Sequence, residues 1–531
     1  MTDRSRRIWR RVAIGALIAT TGFFIAGEIV LHNAGPILKG RIIETLSTRF
    51  DSHVELDNLD VSIGRGLEVG GQGLRIFPPD AVVAAGAKQP LLAVRNFHFH
   101  SGVSGLFLKP MHVAAVSVTG LDINIPPREM RQQGDQHARK HKGKIKIVVD
   151  EILCDDSRLV IGTIKPDKDP KTFALRHIEM HEVGPNAPWR YDAVLTNAVP
   201  RGEIQSRGAF GPWQTESPGD SYVDGHYIFS HADLNTIKGI GGILSSVGDF
   251  KGRLNRIEVH GTTHTPDFSL DTANRGILLD TKFKAIVDGT SGDTYLQPVA
   301  AKLGESSFSV RGAVISVKGK GHRVQLDADI PGARIQDFLD LAVKTQPPVL
   351  TGTLQTKTRI TIEPGQESVT QKLKSRGSFM LGQIHFTNTA VQDKVDMLSL
   401  RARGEPKKAK PGAADVDSRM QGDFSIGDGR IVFSRLIYSL PGADVSLAGV
   451  YSMDGQQFDF KGKVMTKATL RHMVASWWKS WLLTPVSPFF KKDGVGAEIP
   501  VTISGTRSEP KFGLNLFGHS DKDKPRNSGK E

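Results

Sequence analysis

The chain has 531 residues, with 69 Lys and Arg against 56 Asp and Glu, a formal net charge of +13. Its single cysteine, Cys154, excludes an intramolecular disulfide framework and any zinc site built from cysteines. Hydrophobic residues at 39% suffice for a folded protein, 56 glycines fit many strands joined by tight turns, and the positive balance favours an anionic surface, membrane or nucleic acid.

Residues 1–11, MTDRSRRIWRR, crowd Arg4, Arg6, Arg7, Arg10 and Arg11 ahead of an apolar run, Val12 to Leu31, whose only charge is Glu28. A helix over 12–31 spans about 30 Å, the thickness of a hydrocarbon core. The arginines predict a cytoplasmic start, and the lack of a second such run predicts a single-pass anchor with all later residues beyond the membrane. A cleaved export signal would have a shorter apolar segment and a small-residue cleavage site, and no clean A-x-A follows.

In residues 32–127, Leu38, Ile42, Ile43, Leu46 and Phe50 recur at helical spacing behind Pro36. They predict a short amphipathic helix, lying on the membrane or capping the first strands. Short alternating strands punctuated by glycine follow. Residues 128–144, REMRQQGDQHARKHKGK, are basic without an apolar period and predict a loop or linker. Strand-like segments resume over 145–518, with an exposed loop expected near 403–419. The tail, 519–531, is expected to be disordered.

Three helical interruptions are expected inside the strand-rich region. The first carries Leu234, Ile237, Ile243, Leu244 and Val247, and the second Ile335, Phe338, Leu339 and Ala342. The third, near 466–484, is Trp-rich: Leu470, Met473, Val474, Trp477, Trp478, Trp481 and Leu482 recur at three and four. It is expected to cap the sheet or to lie at a membrane or partner interface through Trp477, Trp478 and Trp481. A loose repeat matches Gly377, Phe379, Ile384 and Phe386 to Gly422, Phe424, Ile431 and Phe433.

The strands themselves are two-faced. In PGADVSLAGVYSMDGQQFDFKGKV, Val445, Leu447 and Tyr451 share one side of a strand, with Asp444 and Ser446 opposite. Beyond the turn at Asp454 and Gly455, Phe458 and Phe460 alternate with Asp459 and Lys461. Such an apolar face either packs against a second layer as ordinary core or stays open as a groove.

Catalytic signatures are missing. His98 and His100 share a strand face without an evident third metal ligand, and His137 and His141 lie in the basic loop without a zincin glutamate. Asp155 and Asp156 are placed on opposite sides of a strand or in a turn. GIGGILSSVG lacks the dinucleotide spacing, and there is neither a G-x-S-x-G elbow nor a P-loop. The basic clusters at 139–146 and 401–410 lack interleaved aromatics, which argues against nucleic acid. No catalytic, cofactor-binding or metal-ligating residue is therefore assigned, and the protein is not expected to be an enzyme.

The anchor followed by GPILKGRIIETLSTRFDSHVELDNLDVSIGRGLEVGGQGLRI resembles the N-terminal module of the AsmA-like family of bacterial envelope proteins. GHYIFSHADLNTIKGIGGILSSVGDFKGRLNRIEVHGTTHTPDFSL and SPFFKKDGVGAEIPVTISGTRSEPKFGL are similar to large members of that family. The resemblance implies a mainly β protein: one transmembrane helix, then an elongated, trough-like or curved antiparallel sheet of repeated meanders with a few short amphipathic helices. It implies an inner-membrane anchor with the bulk in the periplasm, and phospholipid acyl chains as the partner of the apolar face, with Val445, Leu447, Tyr451, Phe458 and Phe460 as groove candidates. Roughly 25 strands spaced about 4.8 Å apart would extend ~120 Å. The alternative is a structural or assembly factor for outer-membrane biogenesis, whose partner is another envelope protein.

Overall fold

A computed structural model describes residues 39–514, apart from 103–110, 126–146, 162–170, 213–217, 469–495 and shorter breaks at 41, 45, 48–51, 64–66, 79, 85, 185–186, 274, 290, 318–319, 345, 454–456 and 507–509. The expected anchor at 12–31, the basic loop at 128–144, the Trp-rich helix with Trp477, Trp478 and Trp481, and the tail lie outside the described residues. Among the described residues no helix is long and apolar enough to cross a membrane. The chain divides into two compact units: residues up to Thr236 with Ser245–Val259, and Ile237–Leu244 with His260 onward. The described residues form 25 strands, β1 to β25 in chain order, and few helices, so the protein is mainly β as the alternation predicts.

In the first unit β1 (Val54–Glu55) and β2 (Asn58–Ile63) both pair with β3 (Leu67–Ile76), and β4 (Leu92–Ser101) and β5 (Met111–Ile125) continue the antiparallel meander. Ile42 and Ile43, in the helical residues 42–44, pack on Leu56, Leu59 and Val69, so this helix caps the first strands, one of its two expected positions. Lys39 adds a tie, its Nζ donating to the Asp57 carbonyl at 2.9 Å. The expectation of a wholly antiparallel sheet needs one correction. β5 and β6 (Ile147–Ile161) run parallel, Met111 opposite Ile147 and Ile125 opposite Ile161. The end of β5 and the start of β6 therefore lie a full strand length apart, roughly 45 Å at 3.3 Å per residue, which no hairpin turn bridges. From β6 the sheet is antiparallel again through β7 (Lys171–Val183), β8 (Trp189–Ala198), β9 (Arg201–Phe210) and β10 (Tyr222–Asp233).

The segment from His231 to Phe250 is not helical as its apolar spacing predicts. After a single 3-10 turn, Leu234–Thr236, the chain forms β11 (Ile240–Gly241) and β12 (Ile243–Arg253). Gly239 and Gly242 take φ of +97° and +117°, a backbone region that stops a helix, and burial along β12 alternates with period two.

The second unit carries an antiparallel run from β14 (Ile277–Val287) to β25 (Pro510–Leu514), each strand paired with the next in sequence. At about 4.8 Å per strand this run is about 50 Å across. Three helices sit between its strands among the described residues: Ile335–Ala342, the one-turn Val369–Lys372 and Thr389–Ala402. Ile335–Ala342 is the helix expected from Ile335, Phe338, Leu339 and Ala342, and it lays Ile335 and Phe338 on Ile330, Ala333, Leu354, Leu381 and Ile384. Its polar side is tied down: Asp337 accepts from Ser306 Oγ at 2.6 Å and from the Glu305 amide at 3.1 Å, and Asp340 pairs with Arg275. Thr389–Ala402 begins at Asn388, whose side chain accepts from the Ala390 and Val391 amides. It closes on Leu440 and Ala443 through Leu398 and Ala402.

Candidate functional site

The apolar face of the second unit is the surface that the sequence singles out. Register places Ile431, Phe433, Leu436 and Tyr438 of β21 (Arg430–Leu440) opposite Tyr451, Gly449, Leu447 and Val445 of β22 (Ala443–Ser452). On the other side, Phe458, Phe460, Gly462 and Val464 of β23 (Phe458–Thr466) stand opposite the same four residues. Beyond them come Gly505, Ile503, Val501 and Ile499 of β24 (Ala497–Gly505). All five groove candidates, Val445, Leu447, Tyr451, Phe458 and Phe460, thus occupy one face of neighbouring strands. The side chains of Val445, Leu447, Tyr451 and Phe460 are half-buried.

Glycine and phenylalanine face each other across this surface repeatedly. The loose repeat is two adjacent strands, β19 (Leu373–Phe386) and β20 (Ser418–Gly427), paired so that Gly377 stands opposite Phe424 and Phe379 opposite Gly422. Gly449 sits between Phe433 and Phe460. The rings make a chain, with centroids 6.2 Å apart for Phe379 and Phe424, 6.2 Å for Phe379 and Phe433, and 5.9 Å for Phe433 and Phe460. A ring lying beside a glycine covers backbone that would otherwise be wet and levels the surface. At Gly449 an added Cβ would collide with the Asp459 carbonyl and the Phe460 ring, so the close approach itself requires glycine.

Coverage of this face is uneven along the strands. At one end Leu303, Ile330, Ala333, Leu354, Leu381, Ile384, Leu440 and Ala443 are buried, and the Ile335–Ala342 and Thr389–Ala402 helices pack there. Away from that end, Leu326, Ile360, Ile426, Ile431 and Tyr451 are half-buried, touching neighbours along the sheet without full cover. Bulges contribute to the closed end: the registers of β18 (Leu350–Ile362) with β19 and of β19 with β20 both shift beside Gly382 and Gln383, and Ile384 drops to 0% exposure.

The opposite face is ionic. Arg359 and Arg311 both reach Asp327, at 2.7 and 3.8 Å; Lys357 meets Asp329 at 3.0 Å, Arg435 meets Asp423 at 3.0 Å, and Lys463 meets Glu498 at 3.2 Å. Met380, Val432 and Met465 are exposed singly among these charges, which is ordinary for a solvated surface. The Arg359 guanidinium holds the Asp327 carboxyl below its usual 3.8. A carboxylate held down in the folded state contributes stability above its unfolded pKa and loses it as pH falls through the lower folded value. The urea midpoint of wild type over Asp327→Asn should therefore be constant above about pH 5 and vanish on acidification. A difference that grows as pH falls would contradict the pairing.

Other residues weighed in the sequence separate as follows. His98 and His100 share the face away from the core, as expected, with His100 Nδ1 3.6 Å from Glu68. Asp155 and Asp156 form no dyad: Asp155 pairs with His177 at 2.6 Å, and Asp156 takes a positive φ. Sequence reasoning passed over HIEMH, residues 177–181, where His177, Glu179 and His181 alternate along one face of β7. The signal was present as polar residues at every second position in a strand.

No family model matches the chain, and neither a curated protein nor a solved structure does.

Proposed function

We propose that the chain is a membrane-anchored, non-catalytic envelope protein of the AsmA-like kind, whose apolar sheet face receives phospholipid acyl chains for transfer or for envelope lipid homeostasis. The observation that carries this reading is the one-sided sheet of the second unit: a continuous apolar face, levelled by glycine and phenylalanine pairs, left half-covered beyond its helix-packed end. Its charged reverse side gives the sheet a stable contact with water. An acyl chain leaving a bilayer loses about 0.8 kcal/mol per methylene, so two chains of roughly thirty methylenes together face about 20 kcal/mol. An apolar strip of sheet removes much of that cost and leaves the headgroup in solvent. The anchor expected from the sequence at residues 12–31 and the resemblance to the AsmA-like family support a periplasmic position for this strip, tethered to the inner membrane.

The test is photocrosslinking in cells. A photoreactive side chain at Leu447 or Phe460 should capture phospholipid, and one at Arg435, on the ionic face, should not. Capture of protein alone at Leu447 and Phe460 would replace this reading with that of an assembly factor acting through protein contacts.

A further inference from the structure

A cluster of histidines and carboxylates lies on the first unit, apart from the apolar face of the second. β6 and β7 pair so that Glu151 stands opposite His181, and Asp155 opposite His177, with Glu179 between the two histidines on the same face. One ligand atom each from Glu151, Glu179 and His181 lies within 4.8 Å of the others, and all three side chains are half-buried. His181 Nε2 is 2.9 Å from Glu179 Oε1, and His177 Nε2 is 3.9 Å from Glu179 Oε2. His177 Nδ1 is 2.6 Å from Asp155 Oδ1, an orienting carboxylate that points the ring's other nitrogen toward Glu179. On the neighbouring strand, β8, Asp192 faces Glu179 and Arg190 faces His181. Glu151, Asp155, Glu179 and Asp192 gather four carboxylates beside Arg190 and Arg207, in a chain of net +13.

From this geometry we infer a divalent transition-metal site, with Zn2+ as the fitting ion, held by His181, Glu179 and Glu151 and completed by His177. Two imidazoles and two carboxylates form a borderline donor set of nitrogen and oxygen that suits zinc better than calcium or magnesium, which prefer oxygen alone. Asp155 acts from outside the ligand set: it accepts the His177 Nδ1 proton and fixes the tautomer that leaves Nε2 as a donor to the metal. The ion would crosslink β6 to β7 next to the parallel β5–β6 pairing. This site is independent of what the apolar face of the second unit holds.

The experiment is titration of the full chain, without a histidine tag and stripped of metal, with ZnCl2 by calorimetry, and with CoCl2 by visible absorption. One saturable equivalent and tetrahedral cobalt bands are expected. His181→Ala and Glu179→Gln should each weaken zinc at least tenfold, and Asp155→Asn about tenfold. His98→Ala with His100→Ala should leave affinity unchanged. Glu179→Gln keeps the side-chain shape and tests the site even if His181→Ala fails to fold. Absence of saturable binding, or unchanged affinity in Glu179→Gln, would overturn the assignment. Loss of binding only when His98 and His100 are replaced would overturn it as well.

Discussion

Ile384→Ala should destabilise the second unit by about 2–5 kcal/mol, read as a large fall in the denaturant midpoint of that unit with its slope unchanged. Ile384 has no exposed surface and sits among Ile330, Ala333, Leu354 and Leu381, with Phe338 and Tyr438 packed around them. Room for collapse is small, because the neighbours are held from two sides. The Ile335–Ala342 helix is fixed by Asp337 and Asp340, while Tyr438 donates from its hydroxyl to Ser418 Oγ at 2.8 Å. Partial burial pushes the Tyr438 hydroxyl pKa up, as expected where a phenol loses part of its hydration. A loss below about 1 kcal/mol would mean that the helix-covered end is loose and that the whole apolar face is equally uncovered.

The strands were legible because alternation is a local property. Val445, Leu447 and Tyr451 announce their shared face without knowledge of any partner. The Ile335–Ala342 helix was legible for the same reason, its apolar residues following a 3.6 period. The Thr389–Ala402 helix was not, because its core-facing positions include Asp396 and Ser399, buried at 2% and 0% exposure. These polar groups are satisfied inside: Asp396 accepts from Gln392 and from the Val416 amide, and Ser399 Oγ donates to the Pro441 carbonyl. A stripe read by hydrophobicity alone breaks at such residues. The stretch from His231 to Phe250 failed in the opposite sense, since apolar residues at helical intervals are overruled by two glycines at positive φ.

Pairing was the least legible level. Nothing in β5 or β6 separately distinguishes a parallel from an antiparallel ladder, because both use the same alternation. The repeat around Phe379 and Phe424 was visible as sequence, but its meaning was not. Only the register shows that each copy's glycine accommodates the other's phenylalanine. The same holds for Glu151, which joins His177, Glu179 and His181 through strand pairing across a separation no motif would span.

Leu447→Arg separates an open apolar face from a sealed one. Leu447 is half-buried, opposite Leu436 on one side and Gly462 on the other, so the position has one large neighbour and one without a side chain. An arginine here can lay its methylenes over Gly462 and carry its guanidinium to solvent, which keeps the expected change in stability within about 1 kcal/mol. Acyl chains meet a different surface. A guanidinium in the middle of the strip would have to shed water against hydrocarbon, which costs several kcal/mol for an unpaired charge. Phospholipid capture from a photoreactive residue at Phe460 should therefore fall at least tenfold in Leu447→Arg, while the urea midpoint stays near that of wild type. If instead Leu447→Arg unfolds the unit as readily as Ile384→Ala, the face is closed core, and acyl chains have no place on it.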